Sequence, residues 1–394
     1  MRIIRSYKEL LNYFMTMLLI FISSVFLVFF AYFGYPVTLA TLRLFIHFKY
    51  EKSYIFPKVT LIITAYNEEK RIRQKLDNTI QLDYPKNELQ IIVASDGSSD
   101  QTNKIVQEYS DKGVELLDVK DRKGKENAQK EAIKIANGEI IVFSDTATIL
   151  DKNGLEEIVA NFADRSIGCV SSEDKMIGTD GNTGGGEGFY VKYEMWLRKL
   201  ECSVNSVVGL SGSFFAARKE VCQDFSPKMQ SDFRTLLSSM RKGMRGVSDP
   251  QAIGYYHDIK DTSKEFNRKV RTVIRGLTVF FNNLEFLNFF EFGLFSYQYI
   301  CHKLLRWLVP FFLILAFISN AILAIKGGLL LYVFIGHLLF YMMAFAGFIG
   351  NKKLSSIIAV KIPKFFIVVN ASILVAWIKY LKGERLTMWN PSVR

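Results

Sequence analysis

The sequence predicts an α/β domain with a mixed, mainly parallel sheet, joined to α-helical transmembrane segments at both ends of the chain. Three short runs of β-branched and other apolar residues, at 59–64, 91–94 and 139–143, predict buried strands. The residues between them are typical of helices, and each run ends in a polar cluster. Because ligands of an open α/β sheet bind outside the carboxyl ends of its strands, these clusters are expected to surround one crevice.

Long runs without charge predict the transmembrane segments. Residues 14–42 carry no charged side chain and can cross about 30 Å of hydrocarbon, and residues 308–325 and 327–351 are also uncharged. The first run is too long for a cleaved signal peptide, and no small-residue cleavage site follows it. Residues 365–378 form a shorter run that either spans the bilayer or lies in its interface. Spanning is favoured, because residues 362–381 are long enough to cross and lysines near their ends can snorkel.

Charge predicts the orientation of the soluble part. Basic residues crowd both of its edges: Arg43, Lys49, Lys52, Lys58, Arg268, Lys269, Arg271 and Arg275. An excess of Lys and Arg beside membrane spans marks the cytoplasmic face. The sequence therefore predicts a multi-pass protein of the inner (plasma) membrane with its soluble domain in the cytosol. The same rule opposes an external carboxyl tail, because that tail is rich in Lys and Arg.

Composition restricts the classes of partner. The net charge of +12 suits an anionic membrane surface and an anionic nucleotide. No basic helix or aromatic–basic pattern of a known module occurs, so no nucleic-acid partner is expected. The four cysteines lie far apart without a CxxC pair, which fits a reducing cytosol and argues against a zinc site.

Four parts of the chain are predicted from these patterns. The aromatic stretch after residue 279 has few polar residues and suits a membrane interface. The predicted parts are a transmembrane segment at 1–46, a cytosolic domain at 47–282, an interfacial amphipathic segment at 283–303, and a transmembrane region of two to three spans with a tail at 304–394.

The order and spacing of the motifs resemble those of the family 2 glycosyltransferases. The motifs are AYNEE at 65–69, DGSSD at 96–100, KGKENA at 123–128, an aspartate at 145, GLSGSFFAAR at 209–218 and SDF at 231–233. The resemblance covers about residues 30–394 and is to the membrane-integral type, similar to the synthases of hyaluronan, chitin and poly-N-acetylglucosamine. It implies the nucleotide-sugar fold called GT-A. The cytosolic domain is accordingly expected to be the catalytic one.

The resemblance implies that the first clusters bind the nucleotide. Asp96 is expected to contact the nucleoside, and Lys123 and Lys125 the diphosphate. The residues expected to line the base and ribose are Ala65, Tyr66 and Glu68. A turn with helix capping would also explain DGSSD, since Asp and Ser favour both. The two lysines could equally be solvated surface charges.

The resemblance also implies a divalent metal beside the diphosphate. Hard oxygen ligands suit Mg²⁺ or Mn²⁺, which neutralise the charge of a diphosphate leaving group. Family members usually supply an Asp-x-Asp pair, but here Asp145 is followed by Ala147. Asp145 could still hold an ion that the diphosphate and waters complete. His257 is either a further ligand or a packing residue.

The acceptor side is expected to hold the base. An inverting transfer needs a group that takes the proton of the acceptor hydroxyl. Asp232 stands where the family has its base, although capping alone would explain an aspartate at a helix start. Gly212 and Ser213 are expected in the acceptor segment. The Gly-rich residues 179–188 are either a flexible loop or a flap over it.

Two arginines precede the membrane region. Arg268 and Arg271 are spaced i, i+3 and share a helix face, so their forked donors could clamp the diphosphate. Positive-inside anchoring would also explain them. The Gln and Trp of the Gln-x-x-Arg-Trp motif that processive synthases often carry here are absent, which leaves processivity open.

These expectations define one leading function and two alternatives. The leading one is an inverting transferase, moving sugar from a nucleotide-diphosphate sugar, with UDP expected, to a glycan or lipid-linked acceptor during cell-surface or exopolysaccharide synthesis. The first alternative is transfer of a single sugar to a polyisoprenyl phosphate or glycolipid. The second is a membrane scaffold with a degenerate nucleotide site, which Ala147 motivates.

Overall fold

A computed structural model describes residues 2–177, 186–257, 262–350 and 352–386. The described strands form a single eight-stranded sheet: β1 Val59–Ala65, β2 Leu89–Asp96, β3 Val114–Val119, β4 Ile140–Asp145, β5 Ile149–Leu150, β6 Ile167–Ile177, β7 Phe214–Arg218 and β8 Arg245–His257. The described α-helices are α1 Arg2–Phe29, α2 Tyr35–Leu42, α3 Ile72–Ile80, α4 Thr102–Gln107, α5 Lys125–Ile135, α6 Gly154–Ala160, α7 Gly186–Val204, α8 Ser231–Arg241, α9 Thr262–Phe281, α10 Phe289–Phe292, α11 Leu294–Tyr299, α12 Arg306–Ala324, α13 Leu329–Ile349, α14 Lys352–Ser356 and α15 Ile358–Leu381.

The sheet brings the three predicted strand ends together. Its strand order is β3-β2-β1-β4-β7-β6-β8-β5, and β1 pairs in parallel with both β2 and β4. Ala65 is opposite Ser95, and Thr64 is opposite Asp145. The polar clusters that follow these strands therefore lie at one edge of the sheet, as the sequence predicted.

Burial explains why β1 was predicted from the sequence and β3 was not. Every residue of β1 is buried, because helices cover both faces of the sheet, so the strand is a continuous apolar run. The sequence analysis did not predict β3. It lies at the edge of the sheet, where Glu115 and Asp118 are exposed, and its apolar pattern is correspondingly weak.

Four described helices are long and apolar enough to cross a membrane: Leu11–Leu42, Leu294–Ala324, Leu329–Ile349 and Ile358–Leu381. The first combines α1, α2 and a π-helical turn between them, and it packs against α12. The second begins in α11 and continues through a π-helical turn into α12.

Contacts of α15 place both of its ends on the side of the soluble domain. α12 starts beside the soluble domain, and α13 runs back antiparallel to α12. Gly347, near the end of α13, is therefore at the same level as Trp307, near the start of α12. Lys364, early in α15, donates to the Gly347 carbonyl at 2.7 Å. Trp377, late in α15, donates to the Trp307 carbonyl at 2.9 Å. These contacts favour the interfacial alternative for residues 365–378 over the spanning one that the sequence favoured.

The aromatic segment after α9 joins the core of the soluble domain. Phe286, Phe295 and Tyr299 are fully buried, and the Tyr299 ring stacks on Phe280 with centroids 4.6 Å apart. The helix that begins at Leu294 runs on to Ala324, so it crosses the predicted boundary at 303/304. Aromatic residues with few charges suit a core as well as an interface, and the segment's position relative to the bilayer stays a prediction.

Candidate active site

The loops after β1 and β2 hold each other in place. The Asn67 amide N–H donates to Ser98 Oγ at 3.1 Å, and the Ser99 N–H donates to Asn67 Oδ1 at 2.8 Å. Asp100 accepts the N–H of Thr102, the first residue of α4, at 2.9 Å. Ser98 and Asp100 therefore act as turn and capping residues. For these two residues of DGSSD, the turn-and-cap explanation holds.

Asp96 organises the loop that leads into α5. Its buried carboxylate accepts the backbone N–H groups of Lys123 at 2.9 Å and Gly124 at 2.8 Å. The Lys123 side chain points outwards, 61% exposed, and pairs with Asp121 at 3.2 Å. Asp96 thus fixes the backbone of the KGK segment at the sheet edge, while Lys123 lies on its surface.

Tyr66 carries a partner that the sequence analysis missed. The guanidinium carbon of Arg122 lies 3.8 Å from the centre of the Tyr66 ring, beside the buried Ala65. A Cβ on Gly97, whose φ is +66°, would lie 3.1 Å from the Arg122 backbone nitrogen. The close approach of the two loops therefore needs glycine here. The stacked pair offers a flat, cationic surface of the kind that binds aromatic bases.

Two buried ionisable groups lie under this edge. Glu68 pairs with Arg71 at 2.8 Å. Burial raises the pKa of Glu68 and Arg71 opposes that shift, while the nearby Asp145 carboxylate raises it further. Lys75 is fully buried and donates to Ser144 Oγ at 2.7 Å and to the Thr148 carbonyl at 2.6 Å, and burial lowers its pKa to about 7. No sequence pattern indicates a buried Lys75, since a lysine in a polar helix normally faces solvent.

Asp145 is joined to the predicted acceptor segment. Its N–H donates to the Ser213 carbonyl at 2.9 Å. The ammonium group of Lys125 pairs with the Asp145 carboxylate and also donates to the Gly212 carbonyl at 3.0 Å. One lysine therefore links the predicted metal ligand to the predicted acceptor segment.

The donor atoms present fit a metal ion only in part. Among the residues that the structure describes, no three His, Cys, Asp or Glu side chains form a group that could hold a metal. Asp145 is a quarter exposed and is the carboxylate at this edge that could act as a ligand, whereas the His257 side chain lies outside the described residues. Mg²⁺ commonly keeps waters and takes substrate phosphate oxygens. The site therefore fits an ion shared with a diphosphate and does not fit a cage built by the protein alone.

A second aspartate orders the predicted acceptor segment. The hydroxyl groups of Ser211 and Ser213 donate to Asp174 at 2.8 and 2.6 Å. Asp174 lies on β6 and was not predicted, because its partners are far away in the sequence. The Gly-rich residues 179–188, predicted as a loop or flap, lie largely outside the described residues.

Asp232 lies against the same segment from the other side. A Cβ on Gly212 would be 3.1 Å from Asp232 Oδ2, so glycine lets the segment reach the carboxylate. Asp232 is in the first turn of α8 and 7% exposed. Within the described residues its carboxylate is hydrogen-bonded to the Gln230 side chain at 3.0 Å, and its bonds include no backbone N–H of α8. Helix capping therefore does not explain its position.

A cavity of about 310 Å³ opens beside Asp232, between the soluble domain and the membrane-length helices. Its lining comes from α7, α8, α9, α12, α15 and the segment before β7. Arg268 lines the cavity and donates to Glu265 at 2.7 Å. Of the two predicted clamp residues, Arg268 therefore shares a cavity with Asp232.

Arg271, the other predicted clamp residue, lies within electrostatic reach of Glu126 and Asp145. Burial lowers its pKa, as do the neighbouring guanidinium groups of Arg275 and Arg268, and Glu126 and Asp145 oppose the shift. Arg275 pairs with the buried Glu126 at the start of α5. An arginine stays charged through such shifts. Arg271 consequently adds fixed positive charge within electrostatic reach of Asp145.

Comparisons with known proteins agree with this geometry. Residues 60–225 match the family described as Glycosyl transferase family 2. The chain is 35% identical over 127 residues to the probable glycosyltransferase YdaM of Bacillus subtilis, covering 31% of this chain and 30% of the relative. It is 30% identical over 120 residues to a poly-beta-1,6-N-acetyl-D-glucosamine synthase of Staphylococcus aureus, covering 30% of this chain and 29% of that relative. The matched segments thus span about a third of these relatives' length.

A solved structure extends the likeness in fold. The mannosyltransferase PcManGT of Pyrobaculum calidifontis, in complex with GDP-Man and Mn²⁺, superposes with a TM-score of 0.74 at 21% identity. The superposition covers 93% of this chain and 99% of that one. It confirms the predicted GT-A architecture with helices at both ends.

Proposed function

Because residues 60–225 match the family described as Glycosyl transferase family 2, we propose that the chain is an inverting, membrane-bound glycosyltransferase that uses a nucleotide-diphosphate sugar. One observation carries the proposal. Asp145 and Asp232 lie on either side of a single segment, since Asp145 binds the Ser213 carbonyl and Asp232 abuts Gly212. A metal-side acid and a base are thereby held across the position where donor and acceptor would meet.

The nucleotide occupies the crevice at the carboxyl ends of β1, β2 and β4. Asp96 shapes the loop next to the nucleoside, and the base lies against the Tyr66–Arg122 pair near Ala65 and Glu68. UDP is the proposed nucleotide, in line with the resemblance to the polysaccharide synthases.

The diphosphate lies near Asp145. Lys125 and Arg271 supply positive charge on this side, with Lys123 at the rim. Mg²⁺ or Mn²⁺, held by Asp145 and the diphosphate, would neutralise the leaving group, and His257 would be a further ligand. PcManGT was solved with Mn²⁺, which supports such an ion here.

Asp232 acts as the base. Its carboxylate takes the proton of the acceptor hydroxyl while the hydroxyl oxygen attacks the anomeric carbon, opposite the departing diphosphate. Gly212 and Ser213 form the floor of the acceptor site, and Arg268 lies at its wall.

The acceptor is a glycan or a lipid-linked molecule, met at the membrane. We place the catalytic domain in the cytosol of a cell with the chain in its inner (plasma) membrane, because basic residues flank the membrane-length helices. Cell-surface or exopolysaccharide synthesis is the proposed role. Transfer of a single sugar to a lipid is the second candidate, favoured by the cavity between α9, α12 and α15.

Nucleotide release by the purified full chain tests the proposal. The chain in lipid nanodiscs is given a panel of UDP- and GDP-sugars, with Mn²⁺, with Mg²⁺ or with a chelator. Release that depends on one donor and on the ion is expected. If no donor binds under any condition, the chain is a scaffold with a degenerate site. Product length on a gel then separates polymer synthesis from single-sugar transfer.

A further inference from the structure

Among the described residues, Lys303 is a cation of the acceptor cavity that forms no salt bridge with a carboxylate. It lies on the π-helical turn that leads into α12, and its ammonium group lines the cavity beside Asp232. Its contacts are the Phe233 ring, with the nitrogen 4.9 Å from the ring centre, and Gly209, where a Cβ would be 3.0 Å away. Within the described ranges, no salt bridge or hydrogen bond is formed by this ammonium group.

The neighbouring cations are engaged. Arg306 pairs with Glu194, and Arg268 and Lys269 pair with Glu265. Arg198, also in the lining, donates to Ser171 at 3.0 Å. The cavity is thus lined by five basic side chains and two carboxylates: Arg198, Arg268, Lys269, Lys303, Arg306, Glu194 and Asp232.

This excess of positive charge fits an anion. A buried ammonium group with an aromatic contact but no hydrogen-bond acceptor has lost hydration that the ring replaces only in part, so an anionic group beside it would be favoured. Basic pockets between membrane helices on the cytoplasmic side are suited to phosphate head groups. The lone position of Lys303 therefore points to a phosphate.

The rest of the lining is apolar. Val273 of α9, Trp307 of α12, and Val369 and Ile373 of α15 face the same cavity. Two of these come from a helix whose ends both lie on the side of the soluble domain, so the cavity is between that domain and the membrane helices. A hydrocarbon chain can lie against these side chains without leaving polar groups unpaired.

The spacing of Lys303 and Asp232 suits a sugar linked to a phosphate. Lys303 is against Gly209 and Asp232 against Gly212. Three residues span at most about 11 Å, so Gly209 and Gly212 are no farther apart than that. The two charged groups that contact them are therefore close to each other. A phosphate at Lys303 would leave a hydroxyl of the attached sugar within reach of Asp232.

We propose that the acceptor is a sugar carried on a lipid phosphate, and that Lys303 binds the phosphate. This inference rests on the proposed glycosyl transfer and names its acceptor. The acceptor hydroxyl oxygen forms a bond to the anomeric carbon of the donor. The bond from that carbon to the diphosphate breaks, the electron pair leaves with the nucleoside diphosphate, and the hydroxyl proton passes to Asp232. The lipid phosphate is unchanged.

The test compares three acceptors with the full chain in phosphatidylcholine nanodiscs. They are a sugar on a polyisoprenyl phosphate, an alkyl glycoside of the same sugar without phosphate, and polyisoprenyl phosphate without sugar. The phosphate-linked sugar is expected to have a KM lower than that of the alkyl glycoside by about tenfold or more. Equal KM values for the two sugars would overturn the proposal, as would bare polyisoprenyl phosphate being the better substrate.

Variants of Lys303 provide the second measurement. Lys303→Gln is expected to raise the KM of the phosphate-linked sugar about tenfold and to leave that of the alkyl glycoside unchanged, while Lys303→Arg keeps the wild-type preference. Lys326→Gln is the matched control, because Lys326 also contacts an aromatic ring, Phe14, at the far end of the same helix, about 35 Å away. Equal losses with both acceptors in Lys303→Gln would contradict a phosphate role. If that variant does not fold, the wild-type comparison of acceptors still decides.

Two further outcomes separate the sources of phosphate and the two proposals. Phosphatidylglycerol is added to the nanodiscs: an unchanged KM of the phosphate-linked sugar supports a site for the acceptor phosphate, and loss of its KM advantage over the alkyl glycoside would show that a membrane lipid occupies Lys303. Donor binding is measured in parallel. Turnover of the alkyl glycoside without any preference for phosphate overturns this inference alone, whereas absence of donor binding overturns the proposed function itself.

Discussion

The ammonium group of Lys125 is paired with the carboxylate of Asp145. The same ammonium group donates to the Gly212 carbonyl, beside Asp232. Under the proposed function, this lysine balances the charge of Asp145 before a donor binds. A metal ion bound with the diphosphate would then share that carboxylate with Lys125, so the ion should bind together with the nucleotide.

Removal of Asp145 should therefore abolish metal-dependent donor binding. For Asp145→Ala we expect calorimetry to detect no gain in donor affinity on adding Mn²⁺, whereas the wild type gains. The nucleotide-free wild type should bind Mn²⁺ weakly, because Ala147 supplies no ligand. Asp121→Ala changes an exposed acid and is the control. Tight Mn²⁺ binding to the nucleotide-free protein that survives Asp145→Ala would place the metal elsewhere.

The proposed base gives a sharper kinetic expectation. Asp232→Asn keeps the shape of the side chain and its contact with Gln230 but removes the proton acceptor. Transfer should slow on the order of 100-fold or more, with donor affinity nearly intact. Asp224→Asn, an exposed aspartate before the same helix, should behave like the wild type. Turnover at the wild-type rate in Asp232→Asn would remove it from the mechanism.

The Tyr66–Arg122 pair should contribute to donor affinity and not to the chemical step. Arg122→Ala removes the cation that lies over the ring. The donor Kd should rise about three- to tenfold with kcat unchanged, the range expected for one stacked cation. Exposed Arg165 provides the control variant Arg165→Ala. A large fall in kcat in Arg122→Ala would mean that the arginine acts on the reacting groups.

Lys75 should make stability depend on pH. Burial lowers its pKa to about 7 in the folded chain, against 10.5 for an exposed lysine. Between these values the unfolded chain binds a proton that the folded chain does not, so stability should rise with pH from about 7 to 10.5. The melting temperature of the wild type, minus that of Lys75→Met, should accordingly increase from pH 7 to pH 9. Lys104→Met changes an exposed lysine, so the difference between its melting temperature and that of the wild type should not vary with pH. A difference that does not vary with pH would mean that Lys75 stays charged.

The sequence predicted the parts of the site that are local. β1, β2 and β4 are apolar runs followed by polar clusters, and the parallel register then brings Asp96 and Asp145 to one edge. The sequence could not reveal Lys75, whose partners lie 69 and 73 residues away. The sequence could not reveal the position of Lys303 either, because Lys303 contacts Phe233 only when the helix that carries it packs on the soluble domain.

The membrane topology also depends on contacts that local sequence patterns do not reveal. The uncharged runs predicted the membrane-length helices, because length and hydropathy are local properties. The contacts of the last helix with Gly347 and Trp307 are not local, and they reverse the preference for spanning. Charge asymmetry is the sequence signal that agrees with those contacts, and the topology of this helix stays a prediction.

The position of the chain after α15 provides the last prediction. The helix has 24 residues and is long enough to cross a bilayer, but Lys364 and Trp377 both bind the domain-facing ends of neighbouring helices. Lys379, Lys382 and Arg385 would then stay in the cytosol, in agreement with the positive-inside rule.

Cysteine labelling on intact cells decides between three spans and four. The four native cysteines are replaced, and a single cysteine is introduced as Glu384→Cys, just beyond α15. We expect a membrane-impermeant thiol reagent to label it only after lysis, as it should label Asn87→Cys, which lies in the soluble domain. A cysteine placed at Gly328, in the turn between α12 and α13, should be labelled from outside and shows that the reagent works. Labelling of Glu384→Cys on intact cells would mean that α15 crosses the membrane. In that case Val369 and Ile373 would line the acceptor cavity from within a transmembrane helix.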